Sequence, residues 1–177
     1  MSLEAPEPVK RVVAAIFQRK ASYEDAKERL ERDWGPVDVE SETFAFDVSD
    51  YYEAEMGRDL KRRLLSFEHL VPPDSLPADK RFSTDVEDSL RVSGSRSVNL
   101  DSGYLDLGKF VLASTKGLSQ KIYVADGIYA DFVCRYVKGR FQTFDWTFPD
   151  FQDGRYEKAL LAIRMRYREQ IRTLRGN

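Results

Sequence analysis

The sequence predicts an α+β fold in two layers: an antiparallel-rich sheet of about six strands, with helices mainly on one face and an amphipathic helix at the C-terminus. Two observations carry that class. Four strand-like runs joined by short turns follow one another between residues 110 and 146, and amphipathic helical patterns stand before and after them.

Taken in order, residues 9–17, with Val12, Val13, Ile16 and Phe17, are nearly all apolar and predict a largely buried first strand. Ser22 then reads as a helix N-cap, with Asp25 in the capping-box position and Glu24 at the positive helix end. Tyr23, Ala26, Leu30 and Trp34 follow at helical spacing. Gly35-Pro36 ends that helix, because glycine accepts a left-handed cap and proline cannot continue the hydrogen bonding. Residues 43–48 read as a second strand, with Phe44 and Phe46 on one face. Residues 60–70 fit a helix or a strand, and the extended stop at Val71-Pro72-Pro73 favours the strand. Pro77 in a first turn, with Val86 and Leu90 behind it, predicts a second helix.

The four later runs cover residues 110–115, 120–125, 128–137 and 140–146. Asp126-Gly127 between two of them is a hairpin signal, since both central residues of the favoured turn need positive φ. Ile128, Ala130, Phe132, Cys134 and Tyr136 alternate and should face the core, with Tyr129, Asp131, Val133 and Arg135 turned the other way. A last helix, from about residue 153 to 174, buries Tyr156, Leu160, Ile163, Tyr167, Ile171 and Leu174. Arg164, Arg168, Arg172 and Arg175 line its flank. The chain reads as a single domain over residues 1–177, with residues 1–8 as a flexible tail.

Basic and acidic side chains number 28 and 30, a net charge of −2, so the molecule as a whole is not an electrostatic partner for nucleic acid or anionic lipid. One cysteine, Cys134, cannot form an internal disulfide and suits a reducing compartment. The acidic, proline-bearing N-terminus does not resemble a signal peptide, and no run approaches the roughly 18 apolar residues of a membrane span, so a cytoplasmic location is expected.

The residue inventory excludes several chemistries. A single histidine, His69, and a single cysteine remove the usual zinc sites, and any Ser/His/Asp or Cys/His triad would have to use His69. Its setting, Ser66-Phe67-Glu68-His69-Leu70, holds no nucleophile elbow, and it reads as a surface or capping residue. Neither a Walker A loop nor a dinucleotide-binding glycine fingerprint is present. No metal and no cofactor is expected.

One stretch stands out. In Arg96-Ser97-Val98-Asn99-Leu100-Asp101-Ser102-Gly103-Tyr104, Asn and Asp at alternate positions before glycine suit an Asx-type turn, whose backbone amides can hold an anion. Trp146-Thr147-Phe148-Pro149-Asp150-Phe151, at the far end of the strand-rich half, sets aromatics beside a carboxylate taken to be exposed.

These stretches also carry a resemblance. Pro8-Val9-Lys10, Glu55-Met56-Gly57 with Leu60 and Arg62, Ser66-Phe67-Glu68, residues 99–105, Val111-Leu112-Ala113-Ser114-Thr115-Lys116, Ile122-Tyr123, Gly127-Ile128-Tyr129 and residues 146–150 resemble, in order, the bacterial and archaeal family known as domain of unknown function 4416 (DUF4416). The resemblance implies no established activity. Some members bear a GTP-binding label, which no motif of this sequence supports. Where the family tends to have proline this chain has Ser102, and where it tends to have His-Arg this chain has Gln120-Lys121.

The functional expectation is a pocket at the sheet's edge formed by Arg96, Asn99, Asp101, Tyr104, Lys116, Lys121 and Asp150. Arg and Lys mixed with Asn and Asp suit an anionic small molecule, nucleotide-like or another phosphate or carboxylate metabolite, bound with or without turnover. The bland alternative gives Asn99 and Asp101 to turn amides, Tyr104 to packing and Lys116 to solvent. A second class of function is a non-enzymatic module that contacts protein or nucleic acid through the arginine-flanked last helix or the open face of the strands, where Tyr123, Tyr129 and Phe144 would lie.

Overall fold

The computed structural model describes residues 4–118 and 120–176. Nine strands are seen among them: β1 (Val9–Phe17), β2 (Val37–Glu40), β3 (Phe44–Ala45), β4 (Lys61–Val71), β5 (Val98–Leu105), β6 (Lys109–Ser114), β7 (Ile122–Ala125), β8 (Ile128–Val137) and β9 (Arg140–Thr143). The helices are α1 (Lys20–Trp34), α2 (Glu53–Met56), α3 (Leu76–Ser89), α4 (Pro149–Gln152) and α5 (Glu157–Leu174). One sheet runs β2-β4-β1-β5-β6-β8-β7, with β3 also against β4 and β9 against β8; every pairing is antiparallel.

All nine residues of β1 are buried, the mark of a strand covered on both sides. Val13, Ala15 and Phe17 meet Tyr23, Leu30 and Trp34 of α1 and Val86 of α3. Val12 and Ala14 meet Leu160, Ile163 and Tyr167 of α5. The α+β class, the antiparallel sheet and the C-terminal helix therefore stand, while the sheet is wider than about six strands and helices cover both of its faces rather than mainly one.

Several boundaries differ from the sequence reading. α1 starts at Lys20, with Arg19 at the cap position, so Ser22 is a buried first-turn residue and no capping box forms. Gly35 ends the helix at φ +85, as expected. The strand expected over residues 43–48 shrinks to Phe44–Ala45, and β2 just before it, Val-Asp-Val-Glu, is too short an alternation to stand out. β9 stops at Thr143: Trp146 Nε1 donates to the Phe132 carbonyl (3.0 Å) and Thr147 Oγ1 to that of Val133 (2.6 Å), closing the part of β8 between β7 and β9. α5 begins at Glu157, past Gly154 at φ +81, and Leu174 is exposed.

The expected alternation along β8 is broken. Phe110 pairs with Cys134 but Val111 with Phe132, so Val133 is the extra residue of a bulge. Ala130 and Phe132 consequently pack with Leu76, Val111 and Ala113 on the α3 side, whereas Val133 and Cys134 join the α5 core.

The largest correction concerns residues 98–105, which form strand β5 and no Asx turn. β5 pairs with β1 along its whole length, Phe17↔Val98 to Lys10↔Leu105, but with β6 only through Gly103, Tyr104 and Leu105. At that fork a Cβ on Gly103 would lie 2.1 Å from the Val111 carbonyl oxygen, so glycine is what permits the close approach. Beyond it α3 serves the strand: the Leu100 N–H donates to Glu87 Oε1 (2.6 Å), and Lys80 Nζ donates to the Leu100 carbonyl (3.1 Å). Ser102 lies inside this strand, its hydroxyl accepting from Ser83 Oγ (3.1 Å).

Candidate functional site

Strand alternation gathers the site. Ile16 of β1 sits between Arg62 on β4 and Asn99 on β5, and Ala14 between Leu64 and Asp101. Arg62, Asn99 and Asp101 therefore share the sheet face covered by α4 and α5. Arg62 as a whole is 3% exposed. Its NH1 donates to Asp150 Oδ2 (2.5 Å), its NH2 lies 3.4 Å from Asp101 Oδ2, and its plane rests over the rings of Phe46 (4.8 Å) and Phe151 (5.4 Å).

Asp150, expected on the surface, is fully buried. Pro149 opens α4 and turns the next side chain inward, where Asp150 Oδ2 also accepts from the Tyr156 hydroxyl (2.7 Å). Burial pushes this carboxyl upward from the ordinary aspartate range, against the pull of Arg62 and Tyr156.

Arg96 lies next to this group. Its Nε and NH2 both donate to Glu55 Oε2 (2.9 and 2.7 Å), and its NH1 donates to Asn99 Oδ1 (2.9 Å) and stands 3.5 Å from Glu87 Oε2. The Arg96 hydrogen bonds hold Glu55 below the usual carboxylate range, whereas burial raises Glu87. Arg96 also covers the Tyr52 ring (5.8 Å), which meets Tyr51 edge-on (5.0 Å). Lys116 Nζ donates to the Tyr51 hydroxyl (2.9 Å) over the same ring, and its hydrogen bond holds that phenol below its ordinary value.

Three buried polar atoms among the described residues have no hydrogen-bond partner: Arg62 Nε, Asn99 Nδ2 and Asp150 Oδ1. All belong to this one cluster. Buried polar groups are overwhelmingly satisfied, so three exceptions in one place set this cluster apart from the rest of the described interior.

Of the seven expected residues, Arg96, Asn99, Asp101 and Asp150 converge, and Lys116 reaches the group through Tyr51 and Tyr52. Lys121 lies farther along the same face, donating to Ser114 Oγ (2.9 Å) and 3.4 Å from Asp131. Tyr104 does not belong. Alternation sends it to the other face, beside Leu76 and Val111, and it lines a separate cavity of about 520 Å³ with Asp106, Lys109 and Tyr167. The residues missed were Arg62, Glu55, Glu87, Tyr52 and Tyr156. Arg62 had a signal: with residues 60–70 read as a strand, it shares the inward face of Leu64 and Ser66.

An antiparallel sheet clad by helices, with paired charges that are buried at Arg62, Glu87 and Asp150 and half-buried at Glu55, Arg96 and Asp101, defines an α+β protein with a polar cluster against its sheet. The family model for domain of unknown function DUF4416 matches residues 7–167, and the chain belongs to that family. No curated protein and no solved structure matches it. Among the described residues no helix is long and apolar enough to cross a membrane.

Proposed function

We propose that the chain binds an anionic small molecule, a phosphate or carboxylate metabolite, where Arg62, Arg96, Asn99 and Lys116 gather. The observation that carries this reading is the set of three orphaned atoms. Each unmet buried donor or acceptor costs about 1–3 kcal/mol, so a molecule offering oxygens to Arg62 Nε and Asn99 Nδ2, and a hydrogen to Asp150 Oδ1, recovers much of that cost on binding. Lys116, held by a phenol, supplies positive charge at the rim. A thermal-shift panel of nucleotides, phosphosugars and di- and tricarboxylates tests it. At least one compound should raise Tm, and Lys116→Ala should shrink that rise without changing the unliganded Tm. A panel with no active member ends the reading.

The rival reading, a non-enzymatic interaction module, draws support from a different place than α5. Arg164 stacks on Tyr136 (3.4 Å) and donates to the Leu107 carbonyl, and Arg175 pairs with Glu7, leaving Arg168 and Arg172 exposed on the flank. On the terminal strand β7, by contrast, Ile122, Tyr123 and Val124 are all exposed. Capture of a partner protein that Ile122→Asp leaves undiminished would count against this edge.

A further inference from the structure

We infer that Tyr51 is a nucleophilic site on this chain, a phenol that takes an acyl group from an acyl phosphate. The inference goes beyond the reading above. It shares Lys116 with that reading and does not need an anion to be bound at Arg62.

Two tyrosines are almost equally exposed, Tyr51 at 60% and Tyr123 at 59%. Each meets another tyrosine edge-on, Tyr51 against Tyr52 at 5.0 Å and Tyr123 against Tyr129 at 5.4 Å. Their hydroxyls differ. That of Tyr123 has no hydrogen-bond partner among the described residues, whereas that of Tyr51 accepts from Lys116 Nζ at 2.9 Å, with the ammonium 4.4 Å from the centre of the same ring. Tyr51 stands in the turn that leads into α2 and Lys116 in the bend after β6, so the contact joins segments 65 residues apart.

A positively charged donor stabilises the phenolate more than the phenol, and the phenolate is the attacking form. Arg96, over the neighbouring Tyr52 ring, adds positive charge nearby. Glu55 opposes it, but Arg96 already holds that carboxylate at 2.9 and 2.7 Å. The Lys116 hydrogen bond accordingly lowers the Tyr51 phenol, while burial raises those of Tyr23, Tyr52, Tyr104, Tyr156 and Tyr167. An exposed phenol whose charged form is favoured is placed to attack an electrophile arriving from solvent.

An acyl phosphate fits because its leaving group is an anion, which Lys116 and Arg96 attract as the acyl carbon meets the phenol oxygen. In that step the bond from Tyr51 Oη to the acyl carbon forms and the bond from the acyl carbon to the phosphate oxygen breaks. Inorganic phosphate leaves with the electron pair, and the phenol proton passes to solvent.

The test incubates the full chain at neutral pH with acetyl phosphate, and in parallel with the neutral donor N-acetylimidazole, and maps the acetyl groups by peptide mass spectrometry. An acetyl that hydroxylamine removes is a tyrosine ester. Both donors should label Tyr51 about tenfold faster than Tyr123. Lys116→Ala should bring the two rates together, and Tyr51→Phe should remove the fast site. Equal rates at Tyr51 and Tyr123 in the parent, a ratio that Lys116→Ala leaves unchanged, or a hydroxylamine-stable acetyl on Lys116 in place of the Tyr51 ester overturns the inference. Fast labelling by N-acetylimidazole alone overturns the acyl phosphate as the donor. The neutral donor needs no anion site, so a thermal-shift panel with no active member leaves fast labelling of Tyr51 standing, and slow labelling leaves the outcome of the panel standing.

Discussion

Replacing Arg62 with methionine keeps most of the side chain's bulk between Phe46 and Phe151 and removes its charge. Asp150, with no solvent exposure, then keeps Tyr156 as its hydrogen-bond donor and loses its cation. Removing one member of a buried ion pair costs about 3–5 kcal/mol, a large part of a domain's total of roughly 5–15 kcal/mol. The loss carries a pH signature. Burial already raises the Asp150 carboxyl, and Arg62 is the strongest opposing influence, so the variant's folded-state value rises further. For a group so raised, the stability contribution is whole below the unfolded value of about 3.9 and is lost as pH climbs through the folded value. Urea unfolding followed by tryptophan fluorescence should therefore show Arg62→Met much less stable than the parent at pH 7.5, with the deficit narrowing at pH 5. Adding Asp150→Asn should recover part of it, a coupling of about 0.5–3 kcal/mol. A deficit under about 1 kcal/mol, equal at both pH values, would refute the reasoning, since removal of the cation paired directly with a buried carboxylate has to register.

Three further outcomes follow from the same structure. Glu55→Gln should lower Tm near neutrality and leave it unchanged in acid: Arg96 depresses the folded-state value of Glu55, so its stabilisation is present above the unfolded value and disappears as pH falls, and a gap that ignores pH across 7 to 3 would contradict this. Gly103→Ala forces a methyl against the Val111 carbonyl at the β5–β6 fork and should cost about 1–3 kcal/mol or more in urea unfolding; an unchanged midpoint would mean that the strands are not so close. Ile163→Ala, at a position of α5 with no exposure, should cost about 2–5 kcal/mol, and its chevron plot would show whether α5 docks before or after the folding barrier.

What could be read from the sequence tracks how strongly each segment's chemistry agrees with its conformation. β1 and the turn at Asp126-Gly127, both of its residues at positive φ, were legible because apolar runs and turn residues act locally. β5 was not. Asn99, Asp101, Ser102 and Gly103 are poor strand formers, and what holds them extended is tertiary: β1 on one side, Arg96 and Arg62 on the side chains of Asn99 and Asp101, and Glu87 and Lys80 on the backbone of Leu100 between them. The same cause hid the depth of Asp150, whose burial depends on Arg62, 88 residues away. Asn99 and Asp101 stood out in the sequence because they break the strand pattern, and they break it where the polar interior lies. Tyr104 was grouped with them by proximity in the chain, although an odd offset within a strand sends a side chain to the opposite face.

The narrow join between β5 and β6 has a mechanical consequence. Five strands, β2, β3, β4, β1 and β5, lie on one side of it and four, β6 to β9, on the other, and three residue pairs hold the two plates edge to edge. Opening or closing the angle between them would strain few ladder bonds, and α3, which touches both β5 and β6, spans the seam like a brace. Lys116 rides on one plate and Asn99 on the other, so the width of the gap between them is set by this seam rather than by either plate's own rigidity.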